Sequence, residues 1–493
     1  MNVNPITRLD YPDPDVIRVE DTYYMVSTTM HFMPGCEILQ SFDLVHWEHA
    51  TYVYETLDHT DAQQLKSGQN IYGQGMWAAS LRYHEGRFYI CFVANDTRKT
   101  YLYTSEKIDG PWKKQLIEGF YHDGSLLFDE DGRNYIVYGN DEIWITELNE
   151  DLTAPKKDGL HRLLVSDHKN PKLGYEGSHI QKINGYYYIF LIHSLRDRWM
   201  RTEACFYSDS LEGEFTGGDV LCDDRGYCGQ GVAQGGIVDT PDGKWYAMLF
   251  QDSGAVGRLP ILLPVTWKDH FPVFGQNGHV PEEIEVHSTR PGYIYQPLVG
   301  SDDFCNGLLP RWQFNHDPDP QYYHLDALQG TYTITTREVC TELTQAVNTL
   351  TQRMSYPSCA AEVTVDASAL KEGDVAGLCA FQGCYAAVGI TKHHGKYEVL
   401  MLDKKEDGIL DMTEGTVVES HQMDFRLEAD FCNMKDEARC YYRVNKGDWL
   451  PIGTVHKLYF KLDHFTGCRF GLFCYAAEET GGSACFRDFK YYD

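Results

Sequence analysis

Three carboxylates stand at corresponding places in the first half of the chain: Asp13 in YPDPDVIRV, Asp123 in HDGSLLFDEDG and Glu176 in GYEGSHIQKI. Each lies eleven or twelve residues before the last aromatic of a recurring turn motif. Carboxylates gathered in a low-dielectric site push one another's pKa values apart. One then stays protonated and another ionised, which is what acid–base hydrolysis of a glycosidic bond requires. Taken singly, each aspartate is equally well explained as a turn residue bonding its own backbone. The shared register favours chemistry.

That register rests on a repeat. An acidic or Asn residue, usually a Gly, then an aromatic pair opening an apolar strand recur in EDTYYMV, EGRFYICF, DGRNYIVYG, NGYYYIFL and DGKWYAMLF. Asp-Gly and Asn-Gly accept the positive φ of a hairpin turn, and aromatic and β-branched residues suit the strand that comes after it. An apolar run precedes each turn, and SFDLVHW, SEKIDGPW and SDSLEGEF echo one another after several of them. Five such units, about 45 to 65 residues apart, predict an all-β fold whose residues 1–290 form a five-bladed β-propeller. A β-sandwich array is the rival, but it does not account for the five-fold count. Equivalent strand starts in a propeller surround its axis. The same offset from Tyr24, Tyr89, Tyr135, Tyr188 and Tyr246 lands on Asp13, Trp77, Asp123, Glu176 and Gln234. The expected pocket thus holds three carboxylates, an amide and an indole that offers a sugar ring its face.

The bulk properties narrow the ligand. The chain has 493 residues, enough for two or three domains, and its 43% apolar content supports sizeable cores. A net charge of -29 without any basic run argues against nucleic acid and anionic membranes, and leaves a neutral ligand. No apolar stretch is long enough to span a bilayer. The opening MNVNPITRLDYPDPD lacks the basic-then-apolar pattern of a signal peptide. Fifteen cysteines are scattered, ten of them beyond residue 300, with no CxxC or Cys/His ligand spacing. They read as reduced thiols of a cytoplasmic protein, with a disulfide-bonded secreted form as the alternative.

GQNGHVPEEIEVHSTRPGY, residues 275–293, reads as a linker. Beyond it come TYTITT, CAAEVTV, YAAVGI, YEVLML, CYYRV and KLYFKL, short alternating segments without a helical period. They predict a second all-β domain, a β-sandwich over residues 300–493.

Taken together, these stretches resemble glycoside hydrolase family 43 over nearly the whole chain. The resemblance implies a five-bladed propeller, a C-terminal jelly-roll or concanavalin-like sandwich, and hydrolysis of arabinosides and xylosides with inversion. It implies Asp13 as general base, Asp123 as the group that tunes the acid and orients the substrate, and Glu176 as general acid. Within QGGIVDTPDGKWYAMLFQDSGAVGRLPILLPVTW, Arg258 matches the family arginine that contacts the sugar. Ser178 and Ala79 replace prolines common in the family. Gln234 and Ile261 stand where various relatives have histidines, which weakens the expectation of a structural calcium near the axis. Met30 stands where several xylosidases have a phenylalanine lining the sugar subsite. These departures lean towards arabinofuranosidase. His122 and His31 are further candidates for sugar contact, although a lone histidine is more often structural.

The expected activity is exo-acting release of terminal α-L-arabinofuranose, with β-D-xylose as a second sugar, from arabinoxylan-type or other hemicellulose oligosaccharides. The alternatives are a dedicated β-1,4-xylosidase and a non-catalytic sugar-binding propeller. Inversion calls for roughly 6.5–9.5 Å between the two working carboxyl groups. The expected partner is a small oligosaccharide, no cofactor is required, and a homo-oligomer is open. The sandwich is expected to lend a loop to the pocket, to serve stability or oligomerisation, or to bind carbohydrate itself.

Overall fold

The computed structural model describes residues 3–493. Five four-stranded antiparallel sheets succeed one another along the chain. Their innermost strands are Asp15–Val19, Met76–His84, Ser125–Phe128, Glu176–Ile183 and Val232–Asp239. Each packs against the next, and the fifth packs against the first, so the ring closes into a five-bladed propeller. Apolar side chains fill the spaces between blades, as where Val26 and Ile38 of the first meet Leu81, Ile90 and Phe92 of the second.

The turns behave as their residue types require. Glu85-Gly86 and Asn184-Gly185 each have two positive φ angles, 47° and 79° in one, 50° and 84° in the other. They close two-residue hairpins between His84 and Arg87 and between Ile183 and Tyr186, the geometry whose twist matches paired strands. In the third and fifth blades the Asp-Gly pair sits inside a longer loop, between Phe128 and Asn134 and between Asp239 and Trp245. No sheet mixes strands from both ends of the propeller sequence. Residues 4–11 close the ring by running beside Arg258–Lys268. The Asn4 side chain bonds both backbone groups of Leu262, at 2.7 and 2.8 Å, and the Ile6 and Tyr11 N–H groups donate to Pro260 O and Arg258 O.

Two further sheets, of nine and seven strands, enclose a core that includes Trp312, Leu378, Val388, Phe425, Phe470 and Phe486. This is a concanavalin-like β-sandwich. One of its strands comes from the propeller sequence: Phe32–Met33 pairs with Gln313–Asn315 at the edge of the nine-stranded sheet. KLYFKL departs from its expected strand. The strand Leu450–Lys457 stops at the first residue of this segment, and the chain runs on from Leu458 as a loop. The alternation has another cause: Leu458 packs into the sandwich core, while Phe460 and Leu462 line the propeller's pocket.

Buried charge joins the two halves. Arg353 pairs with Glu37 at 2.8 Å and donates from Nε to Asp10 O, and the Gly467 N–H donates to Asp10 Oδ2 at 2.7 Å. Leaving one partner of such a pair alone costs about 3–5 kcal/mol. A chain cut after residue 300 takes Arg353 from Glu37 and the Gly467 N–H from Asp10, and is expected to be insoluble or non-cooperatively folded. Thermal unfolding monitored by circular dichroism checks this; a soluble, cooperative fragment with full activity would refute it.

All fifteen cysteines are free thiols, ten of them buried, where they act as small apolar fillers. Among the described residues, no helix is long and apolar enough to cross a membrane.

Candidate active site

A cavity of about 670 Å³ opens where the innermost strands begin. It gathers Asp13, Trp77, Asp123, Glu176 and Gln234 from the five blades, and Met30, His122 and Arg258 beside them. His31 is not with them. Its ring is fully buried and packs 4.8, 4.9 and 5.0 Å from Tyr72, His464 and His316. The adjoining Phe32–Met33 strand joins the sandwich sheet and carries His31 into the seam, so its assignment to the sugar is corrected.

The backbone explains the convergence. The innermost strands of the second, fourth and fifth blades shift register between Met76 and Ala79, Glu176 and His179, and Ala233 and Gly236. A bulge at a strand mouth re-aims the side chain there. Asp13, Asp123 and Gln234 hold left-handed φ angles of 53°, 48° and 61°, a conformation that is sparsely populated outside glycine and concentrates at functional sites. Beside the acid candidate, Gly177 has φ 65°, and a Cβ there would come within 2.8 Å of Gln234 Cγ.

On one side, Asp13 is held at both oxygens. Arg258 Nη1 donates to Oδ1 and Thr28 Oγ1 to Oδ2, each at 2.7 Å. The buried Arg258 guanidinium lies 4.1 Å from the Phe465 ring centroid and 5.1 Å from that of Phe250. Its backbone N–H donates to Asp10 Oδ1, and the other oxygen of Asp10 takes the Gly467 N–H. One carboxylate thus ties the arginine strand to the sandwich loop that brings Phe465 over the pocket. Gly467 is required at this contact, since a Cβ would meet Val256 O at 2.2 Å.

On the other side, Asn140 Nδ2 donates to Glu176 Oε2 at 2.6 Å, and the Gly177 N–H donates to Asp123 Oδ2 at 3.0 Å. His122 Nε2 lies 3.6 Å from Asp123 Oδ2 and 3.7 Å from Glu176 Oε2, ion-pair distances without hydrogen bonds. Burial raises the Asp123 carboxyl to about 6, with Glu176 and Asp13 adding to the rise and His122 opposing it. Burial alone would lower His122, but Asp123 and Glu176 outweigh it and raise the imidazole to about 9. A histidine cation therefore sits between the two carboxyl groups at neutral pH.

This charge cluster has consequences for stability and for rate. The raised Asp123 pKa means that its folded-state stability contribution is present at low pH and is lost as pH rises through about 6. Asp123→Asn should therefore raise stability at pH 7 by about 1–2 kcal/mol, a few degrees in Tm, with less gain at pH 5; paired melting curves check it. The acid limb of kcat/KM should fall near pH 6 as Asp123 takes up its proton. His122→Phe removes the cation that holds this pKa down, so the limb should move to higher pH, as a pH–rate profile would read.

Several pocket residues escape a reading of the sequence. Thr28 and Asn140 belong to no repeat position. Arg201 and Asp252 lie 3.2 Å apart at strand ends, and Asp252 also lies 3.7 Å from Arg258 Nε. Met434, Phe460, Lys461, Leu462 and Phe465 come from the sandwich sequence. Phe465 faces Trp77 with ring centroids 5.6 Å apart. The only signal near it is KLYFKL, whose pattern imitates a strand.

The axis is a poor match for calcium, which takes six to eight oxygen ligands. Asp15 is the carboxylate there, and it is already engaged by Arg82 Nη1 at 2.7 Å, the Leu81 N–H at 2.8 Å and His179 Nδ1 at 3.1 Å. Arg82 also donates to Ser125 Oγ, Leu126 O and Ile180 O. The ligand atoms of His122, Asp123 and Glu176 lie within 4.8 Å of one another, close enough for a metal.

A propeller holding grouped carboxylates in a walled pocket is compatible with a glycoside hydrolase, and the family model places the chain in that class. The chain belongs to glycosyl hydrolases family 43, whose model matches residues 3–272, and the beta xylosidase C-terminal concanavalin A-like domain matches residues 301–492. It is 42% identical to a bifunctional GH43-CE protein of Bacteroides eggerthii with a TM-score of 0.93; the match covers 99% of this chain and 63% of that one. It is 27% identical, with a TM-score of 0.86 and 99% of both chains covered, to a GH43 glycoside hydrolase whose engineered active site displays both endo-xylanase and exo-arabinofuranosidase activity. A beta-xylosidase of Formosa agariphila is 26% identical over 542 aligned residues, 97% of this chain and 88% of that protein.

Proposed function

We propose that the protein is an inverting exo-glycoside hydrolase that removes terminal α-L-arabinofuranose, with β-D-xylose as a second sugar, from hemicellulose oligosaccharides. The observation that carries this reading is the division of labour within one cavity: Asp13 clamped by Arg258 and Thr28, and Glu176 held by Asn140 beside the His122–Asp123 pair. Glu176 gives its proton to the glycosidic oxygen as the bond to the anomeric carbon breaks. Asp13 takes a proton from water as the water oxygen bonds to that carbon from the opposite face. Asp123 and His122 hold the acid in place and set the charge around it. Trp77 and Phe465 offer apolar faces to the sugar, and the sandwich loop that walls the pocket supports exo over endo action.

Nitrophenyl α-L-arabinofuranoside and nitrophenyl β-D-xyloside test the activity, and proton NMR of the first-formed sugar tests its stereochemistry. Turnover with an inverted anomer is expected. A retained anomer overturns the roles of Asp13 and Glu176, and silence on both substrates overturns the enzyme. A dedicated β-xylosidase is the second reading, favoured by the match of residues 301–492 to the beta xylosidase C-terminal domain. It predicts that the xyloside is turned over far faster. The fifteen free thiols support a cytoplasmic setting.

A further inference from the structure

The fourth blade holds a carboxyl that the reaction above does not use. Glu203 lies in Arg201–Ser208, the third strand of that blade, and is fully buried. Its cross-strand neighbours are Ile192 on one side and Leu221 on the other, both buried. Glu203 Oε2 accepts the Gln234 N–H at 2.7 Å, and Oε1 has no hydrogen-bond partner among the described residues. Burial pushes the carboxyl well above the usual carboxylate range, and the Gln234 N–H opposes the rise. An apolar side chain would suit this wall better than a carboxyl with an oxygen left unpartnered. The bond to Gln234 is what distinguishes Glu203 from such a side chain.

That bond falls where the backbone has no other support. Gln234 sits in the register shift between Ala233 and Gly236, where a bulge leaves residues out of the ladder, and it holds a φ of 61°. Its side chain lines the cavity and packs on the turn beside the acid. A Cβ on Gly177 would come within 2.8 Å of Gln234 Cγ and Cδ, and within 3.0 Å of Ile192 Cγ2. Ile192 stands between the two glutamates, opposite Glu176 in one strand pair and opposite Glu203 in the next. Gly177 carries the contact on to both carboxyls of the acid side, as the residue after Glu176 and as the donor to Asp123. We propose that Glu203 is a positioning residue for the reaction: it fixes the Gln234 backbone, and the Gln234 side chain bears on Gly177 and so sets where Glu176 meets the glycosidic oxygen. Glu203 itself lies outside the cavity lining. This rests on the glycosidase reading and adds a residue behind the pocket that sets the place of the acid.

The test compares an oligosaccharide of whichever pentose the chromogenic assay selects with the nitrophenyl glycoside of the same sugar. The first depends on the proton of Glu176 far more than the second does. The ratio of their kcat values therefore reads the placement of the acid, and a general loss of folded protein does not move it. Glu203→Leu keeps the volume and removes the acceptor. It is expected to lower the ratio about tenfold with little change in KM, because a small displacement of a reacting group is costly in rate. Glu203→Gln, whose amide oxygen can still accept the Gln234 N–H, should keep the ratio of the unaltered protein to within about twofold. Melting curves accompany both variants. Glu203→Met takes the place of Glu203→Leu if the latter does not melt cooperatively, and failure of both to fold makes Glu203 a folding residue and overturns the positioning role. A ratio left unchanged in the folded apolar variant, or lowered equally in Glu203→Gln, overturns it too and leaves the enzyme standing. No turnover of either substrate by the unaltered protein overturns the glycosidase reading as well.

Discussion

Asp13→Asn is expected to lower kcat by about 10³–10⁴-fold on every substrate, whatever the leaving group, because an amide cannot take the proton of the attacking water. The rest of the site should survive. Asparagine tolerates the left-handed φ of 53° nearly as well as aspartate does, and its amide oxygen can still accept from Arg258 or Thr28. The change falls on the charge facing a buried guanidinium. Arg258 then keeps Asp252, 3.7 Å from its Nε, as its ion-pair partner among the described residues. A stability loss is expected alongside the catalytic one, and a melting curve separates the two. An activated nitrophenyl group should restore nothing, since its easy departure does not help water to attack. Substantial turnover of nitrophenyl substrates by Asp13→Asn would remove Asp13 from the role of base.

Much of this site is legible in the sequence, for a physical reason. A propeller repeats one register around one axis, so a position counted back from each hairpin becomes a position around a pocket. Asp13, Trp77, Asp123, Glu176 and Gln234 emerge that way, and the cavity gathers all five. The count absorbs the bulges because they recur at matching places in three blades. Residues that owe their place to something outside the repeat are not legible. Phe465 reaches the pocket on a sandwich loop tied down by Asp10, more than four hundred residues earlier in the chain. His31 is lost in the opposite direction, drawn from a propeller loop into the seam by a two-residue strand. Asn140 and Arg201 are single polar side chains at strand ends, and only the distance to a partner distinguishes such residues from surface ones.

Glu176→Gln should behave differently from Asp13→Asn, and the contrast is the stronger test of the assignment. Glutamine can still accept the Asn140 hydrogen bond, and Gly177 keeps the turn, so the pocket should hold its shape. Without an acid, an alkoxide must leave unprotonated. On oligosaccharides kcat should fall about 10³–10⁴-fold, whereas nitrophenyl substrates should lose only about tenfold, because nitrophenolate departs without help. If Glu176→Gln lost both substrate classes equally, Glu176 would not supply the proton, and the acid would have to be sought at Asp123.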